Sequence, residues 1–236
     1  MRILVSWSSG KDSAWMLHLL RSARIGTPAA LLTSMNEAVD RVTMHAVRSE
    51  VLRDQADAAG LPLIVVPLPA PCSNEVYEQR MAAAVRAAVA DGFTHVAFGD
   101  LFLEDVRRYR EERLAGTGLT PIFPLWGRPT AALAKEMLAS GLQATVTCVD
   151  PRQVPRELAG RAYDSRLLSD LPAGADPCGE RGEFHTCATA GPMFSRPIPV
   201  EPGKTVERDG FVFADLTLGR RPAERDPLRS RGPRPT

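Results

Sequence analysis

The chain has 236 residues, enough for one large domain or a medium domain with a smaller companion. At 44% hydrophobic and 24% charged it matches ordinary globular proteins, which excludes disordered and fibrous classes for most of its length. A formal charge of +1 argues against holding nucleic acid by bulk charge, and no apolar run approaches the ~20 residues of a membrane helix.

The N-terminus enters a strand-like run at once, so no secretion signal is read there. Cys72, Cys148, Cys178 and Cys187 show no CxxC spacing and read as reduced thiols of a cytoplasmic protein. Strands are predicted at residues 3–6, 29–33, 63–66, 95–98 and 144–149. Helical patterns fill the gaps at about 12–24, 46–59, 74–91, 103–114 and 129–140. The strands are apolar throughout, as strands covered on both faces are. This alternation predicts an α/β fold, a doubly wound parallel sheet, over residues 1–150. Ligands of such sheets bind at the carboxyl ends of the strands, near the switch point.

After Pro151 proline and glycine rise and short β-like runs appear, with an Asp209-Gly210 hairpin signal. Residues 151–219 read as a smaller α+β domain. Residues 220–236 hold six arginines, two acids and four prolines. Such a segment buries too little to fold, and its arginines leave a weak RNA contact as an alternative to a plain solvated tail.

The sharpest feature lies between the first strand and the first helix: Ser6-Trp7-Ser8-Ser9-Gly10-Lys11-Asp12-Ser13. Small residues let the backbone fold around an anion, and the first amides of the helix point at it. Ser8, Ser9 and Ser13 add hydroxyls, Lys11 a cation, and Asp12 either a magnesium ligand or a helix cap. It is neither a Walker A loop nor the dinucleotide G-x-G-x-x-G.

Ser8-Ser9-Gly10-Lys11-Asp12-Ser13 resembles the S-G-G-x-D-S signature of PP-loop ATP pyrophosphatases, with Ser9 in place of the first glycine. A serine fits there if its φ is negative. Phe98-Gly99-Asp100-Leu101, then Arg107, Arg108 and Glu111, then Cys178-Gly179-Glu180-Arg181-Gly182-Glu183-Phe184-His185-Thr186 occur in an order similar to the diphthine–ammonia ligase branch, or diphthamide synthase-like family. The resemblance spans residues 1–200 and implies an adenine nucleotide alpha-hydrolase-like fold. It also implies ATP cleaved between its α- and β-phosphates, a carboxylate activated as an acyl-adenylate, and attack by ammonia or an amine.

On that reading Ser6, the loop from Ser8 to Ser13, and Gly99 hold the nucleotide, while the strand end at Thr33 and Met35 reads adenine. Asp12 and Asp100 are the candidates for Mg²⁺, with a helix N-cap as the alternative for Asp100. Lys11, Asp100, Glu183 and His185 are the expected catalytic group, His185 acting as base with Glu183 orienting it. His45, Arg107, Arg108, Glu180 and Thr186 are the candidates for substrate contact. A solvated charged face remains the alternative for the arginines. The partners expected are ATP, a carboxylate-bearing substrate and an amine donor, with a homodimer left open. The rival functions are an RNA-sulfurtransferase-like enzyme, which needs a catalytic cysteine, and a non-catalytic ATP-binding regulatory module.

Overall fold

The computed structural model describes residues 1–220. The tail expected beyond Arg220 lies outside the described residues. Among these, no helix is long and apolar enough to cross a membrane.

The first sheet is built on β1 (Arg2–Ser6), β2 (Thr27–Asn36), β3 (Arg41–Val42), β4 (Leu63–Leu68), β5 (His95–Ala97) and β6 (Thr120–Ile122). β1 lies between β2 and β5, β4 pairs with β2, and β6 with β5, all parallel. Chain order therefore runs outward from β1 in both directions, which makes the gap between the ends of β1 and β5 the switch point. Helices α1 (Lys11–Ser22), α2 (Ser49–Ala59), α3 (Asn74–Ala90), α4 (Glu104–Leu114) and α5 (Thr130–Ala139) fall where their patterns place them, within three residues at each end. α2 ends on Gly60, whose φ of +64° is the left-handed stop a glycine accepts.

β1 shows why its strands carry no polar alternation. Ile3 and Val5 enter the larger core with α1 and α2, while Leu4 enters the core on the other face with Phe93 and Val96. Each such fully buried aliphatic contributes about 1.5–3 kcal/mol. β3 fills a specific gap. β1 ends opposite Leu32, and β3 pairs antiparallel with Met35 and Asn36, whose other edge β4 already occupies. It must therefore continue along the edge β1 vacates, which hangs the segment after it above the β1–α1 loop.

The second sheet is antiparallel, in the order β8 (Phe184–Ala190), β7 (Gln143–Val149), β10 (Phe211–Leu218), β9 (Val200–Arg208). The strand expected at 144–149 belongs here and not to the parallel sheet. Burial on both faces marks a strand as central without saying in which sheet. Asp209 and Gly210 have φ of +54° and +79°, the turn that joins β9 to β10. α1 lies between the two sheets with Trp15, Met16, Leu17 and Leu20 all buried, so one core runs through both.

Candidate active site

The loop after β1 opens α1 at the switch point, and the second sheet holds it from behind. The Ser9 carbonyl accepts from the Ala188 N–H of β8 at 2.9 Å and from Gln55 Nε2 of α2 at 3.0 Å. The Lys11 N–H, which the helix cannot satisfy itself, donates to Thr186 Oγ1 at 3.1 Å. The Thr186 carbonyl in turn meets His45 Nδ1 at 2.9 Å. Ser8 and Ser13 hydroxyls lie 3.2 Å apart within the loop. Gly99 closes the other side. A Cβ there would lie 3.3 Å from the Asp12 carbonyl carbon and the Ser13 nitrogen, so a side chain would crowd the start of α1.

Ser9 has φ +70°, a left-handed backbone, and the negative φ expected for a serine here is overturned. The tight loop needs the conformation that the family signature supplies with glycine. Ser9 Oγ is buried without a partner.

Two connected cavities meet at this loop. The smaller, about 230 Å³, collects Lys11, Asp12, Asp100, Glu180, His45 and His185. The larger, about 870 Å³, lies on the apolar sheet face between Leu4, Leu32, Val96 and Phe98 and the helices α3 and α4. α3 fully buries only Ala88, and its Tyr77, Met81 and Val85, half-buried, form the outer wall of this cavity. Ser6, Ser8 and Arg110 line both cavities.

Charges in the smaller cavity are mostly paired. Lys11 Nζ, 2% exposed, binds Asp12 Oδ2 at 2.8 Å, donates to the Cys178 carbonyl, and lies 5.4 Å and 5.5 Å from the rings of Tyr163 and Phe184. Burial opposes its charge, but Asp12, Cys178 and Asp176 outweigh that and raise its pKa. Burial raises the Asp12 carboxyl against the pull of Lys11. Asp12 Oδ1 is buried without a partner and fits a cation that also binds phosphate oxygens. Asp100 does not fit one as well: both its oxygens are taken by Arg110, at 2.7 and 3.0 Å. Among the described residues no group of three or more His, Cys, Asp or Glu is placed to hold a metal.

Glu180 differs from the other carboxylates. Its Oε1 accepts the Leu101 N–H at 2.7 Å, just beyond β5, and no basic side chain pairs with it among the described residues. Burial, with Asp12 and Asp100 adding, raises it to about 7.

Several expected roles find no support in the geometry. Glu183 cannot orient His185, because it precedes β8 and accepts the backbone N–H groups of Asp176 and Arg181 at 2.8 and 2.9 Å. It shapes the 176–183 turn. His185 does face the cavity, its ring 4.7 Å from that of His45. Burial, with His45 and Lys11 adding, depresses it to about 3, too weak for a base at neutral pH. Arg107 pairs with Glu111 over Phe123 and Trp126, and Arg108 is exposed. Arg110 is the arginine of α4 that reaches both cavities, and Arg113 lines the larger one. Thr33 and Met35 turn from the larger cavity, Thr33 Oγ1 donating to the Trp7 carbonyl at 2.7 Å and Met35 packing in the core. Leu32 and Ser34 face the cavity instead, as the two-residue period requires. Gln55 also escaped notice, although a glutamine beside Val51, Leu52, Ala56 and Ala59 on an apolar helix face was the signal.

A parallel sheet with an anion-cradling loop at its switch point, facing a cleft with paired charges, defines a nucleotide-binding α/β enzyme. No family model matches the chain. Among curated proteins it is 27% identical over 243 residues to diphthine–ammonia ligase of Danio rerio, with 92% of each chain covered. It is 24% identical to that of Bos taurus over 92% of this chain and 89% of the relative, and 30% identical to that of Homo sapiens over 48% and 45%. Over most of its length the chain is thus similar to proteins named diphthine–ammonia ligase, at 24–27% identity.

Proposed function

We propose that the chain is an AMP-forming amide ligase that activates a carboxylate as an acyl-adenylate and passes it to ammonia or a simple amine. The observation that carries this reading is the Ser8–Ser13 loop, whose helix N-terminus opens onto the junction of the two cavities. Adenosine fits the larger one, where its base lies along the apolar sheet face beside Leu32 and Ser34. The polyphosphate then lies over the loop, with the acceptor carboxylate and amine in the smaller cavity.

The carboxylate oxygen attacks the α-phosphorus and pyrophosphate leaves. Loop amides and Ser8 and Ser13 hydroxyls steady the charge that develops on it. Asp12 Oδ1 would hold a Mg²⁺ ion, which would supply further neutralisation of the phosphate charge. Lys11 pairs with Asp12 and fastens the loop to the Cys178 carbonyl. Arg110, held by Asp100, is placed at the junction where acceptor and nucleotide meet. Ammonia adds to the acyl carbon, AMP leaves, and Glu180 takes the proton that the nitrogen loses. His45 and His185 are neutral walls of the cavity rather than bases. The sulfur-transfer rival is disfavoured because burial pushes up to about 12 both the Cys178 thiol, beside the smaller cavity, and the Cys187 thiol.

The test uses ATP, ammonium and a peptide carrying diphthine. The reading requires AMP and pyrophosphate in step with amide, and about 10- to 100-fold weaker ATP binding in Lys11→Met. Nucleotide consumption that yields ADP, or ATP affinity indifferent to Lys11, would overturn it.

A further inference from the structure

Ser9 is held in a conformation that its own side chain does nothing to secure. It is wholly buried with φ +70°, and its hydroxyl has no partner. Strained backbone persists only where its surroundings over-determine it. Here the holding groups converge on the carbonyl. One is the Ala188 N–H of β8; the other is Gln55.

Gln55 is 0% exposed and every polar atom of its amide is used. Nε2 donates to the Ser9 carbonyl at 3.0 Å and to the Ala188 carbonyl at 2.7 Å, while Oε1 accepts Trp7 Nε1 at 3.0 Å. A primary amide has two donors, and both point at fixed backbone acceptors. The single side chain thus ties the residue after β1, the centre of the loop and the strand behind it. Leucine or glutamate of similar size offers no such pair of donors.

We infer that Gln55 is a positioning residue for nucleotide binding: it holds Ser9 in the left-handed conformation that turns the loop amides toward the phosphates. It stands in for the glycine that would adopt this backbone unaided. The inference rests on the loop being the phosphate site, and it makes a claim that a general packing role does not. The need for Gln55 should depend on which residue occupies position 9.

The experiment is a cycle of Gln55→Ala, Ser9→Gly and the double variant in the full chain. ATP dissociation constants are read by calorimetry and amide hydrogen exchange at residues 8–13 without nucleotide. Gln55→Ala should weaken ATP binding about tenfold and speed exchange in the loop. The double variant should return both close to the Ser9→Gly values. Unchanged affinity in Gln55→Ala, or a loss that Ser9→Gly fails to recover, would overturn the inference. If Gln55→Ala does not fold, Gln55→Glu, which keeps an acceptor for Trp7 Nε1 and removes both donors, replaces it in the same cycle with the same criteria. A wild-type chain that does not bind ATP sinks the functional reading, and the exchange arm still decides the role of Gln55.

Discussion

A Cβ on Gly10 would lie 2.6 Å from Cε1 of His45. The backbone there, φ −81° and ψ 171°, is open to any residue, so the glycine makes room for a ring rather than for a torsion. Gly10→Ala should push His45 off the Thr186 carbonyl and destabilise the fold by about 1–3 kcal/mol. His45→Ala in the same chain should recover most of it. Thermal unfolding of the three variants checks this, and equal midpoints for Gly10→Ala and wild type would remove the constraint.

Glu180 gives a pH dependence of definite sign. Folding raises its carboxyl from an ordinary value of 4.5 to about 7, so between those values the folded chain keeps a proton that the unfolded chain releases. Stability should therefore decline as pH rises across that window, and Glu180→Gln should flatten the decline. Amide formation should rise with pH to a plateau above 7, and should fall about 100-fold in Glu180→Gln, well beyond any loss in pyrophosphate exchange. A rate limb that persists unchanged in the variant would take the proton away from this residue.

The paired histidines act in the opposite direction. Burial depresses His45 to about 4 and His185 to about 3, so both stay neutral in the fold while the unfolded chain takes up protons below about 6.5. Their contribution is complete above that value and is lost as pH falls toward 3. Replacing both with asparagine should reduce the acid sensitivity of denaturant midpoints between pH 6.5 and 4. Parallel midpoint curves for variant and wild type would contradict the neutral pair.

The strand–helix loop at Ser8–Ser13 was legible because it is local: small residues between one strand and one helix carry the information in adjacent positions. The position of Gly99 beside that loop was legible for the same reason, at the end of β5, which neighbours β1. Helix α4 was not. With nine of its eleven positions polar or charged, all but Val106 and the final Leu114, no stripe says which arginine turns inward, and Arg110 rather than Arg107 or Arg108 does so. Glu183 fell inside the turn rather than on the face of His185 because Gly182, at φ +83°, bends the chain just before it. Alternation along a strand cannot be extended back through such a turn. Thr33 and Met35 were displaced by a single residue, and a slip of one inverts every side chain of a strand.

The docking of the phosphate loop on β8 makes the chain's two compositional halves a poor unit of exchange. A chimera joining the first 150 residues of one relative to the remainder of another would mate one parent's Ser9 and Gln55 with the other parent's Thr186 and Ala188. Substitutions near the nucleotide are thus expected to arrive in pairs drawn from opposite ends of the gene product, and a swap meant to preserve binding has to carry residues 178–188 along with the loop.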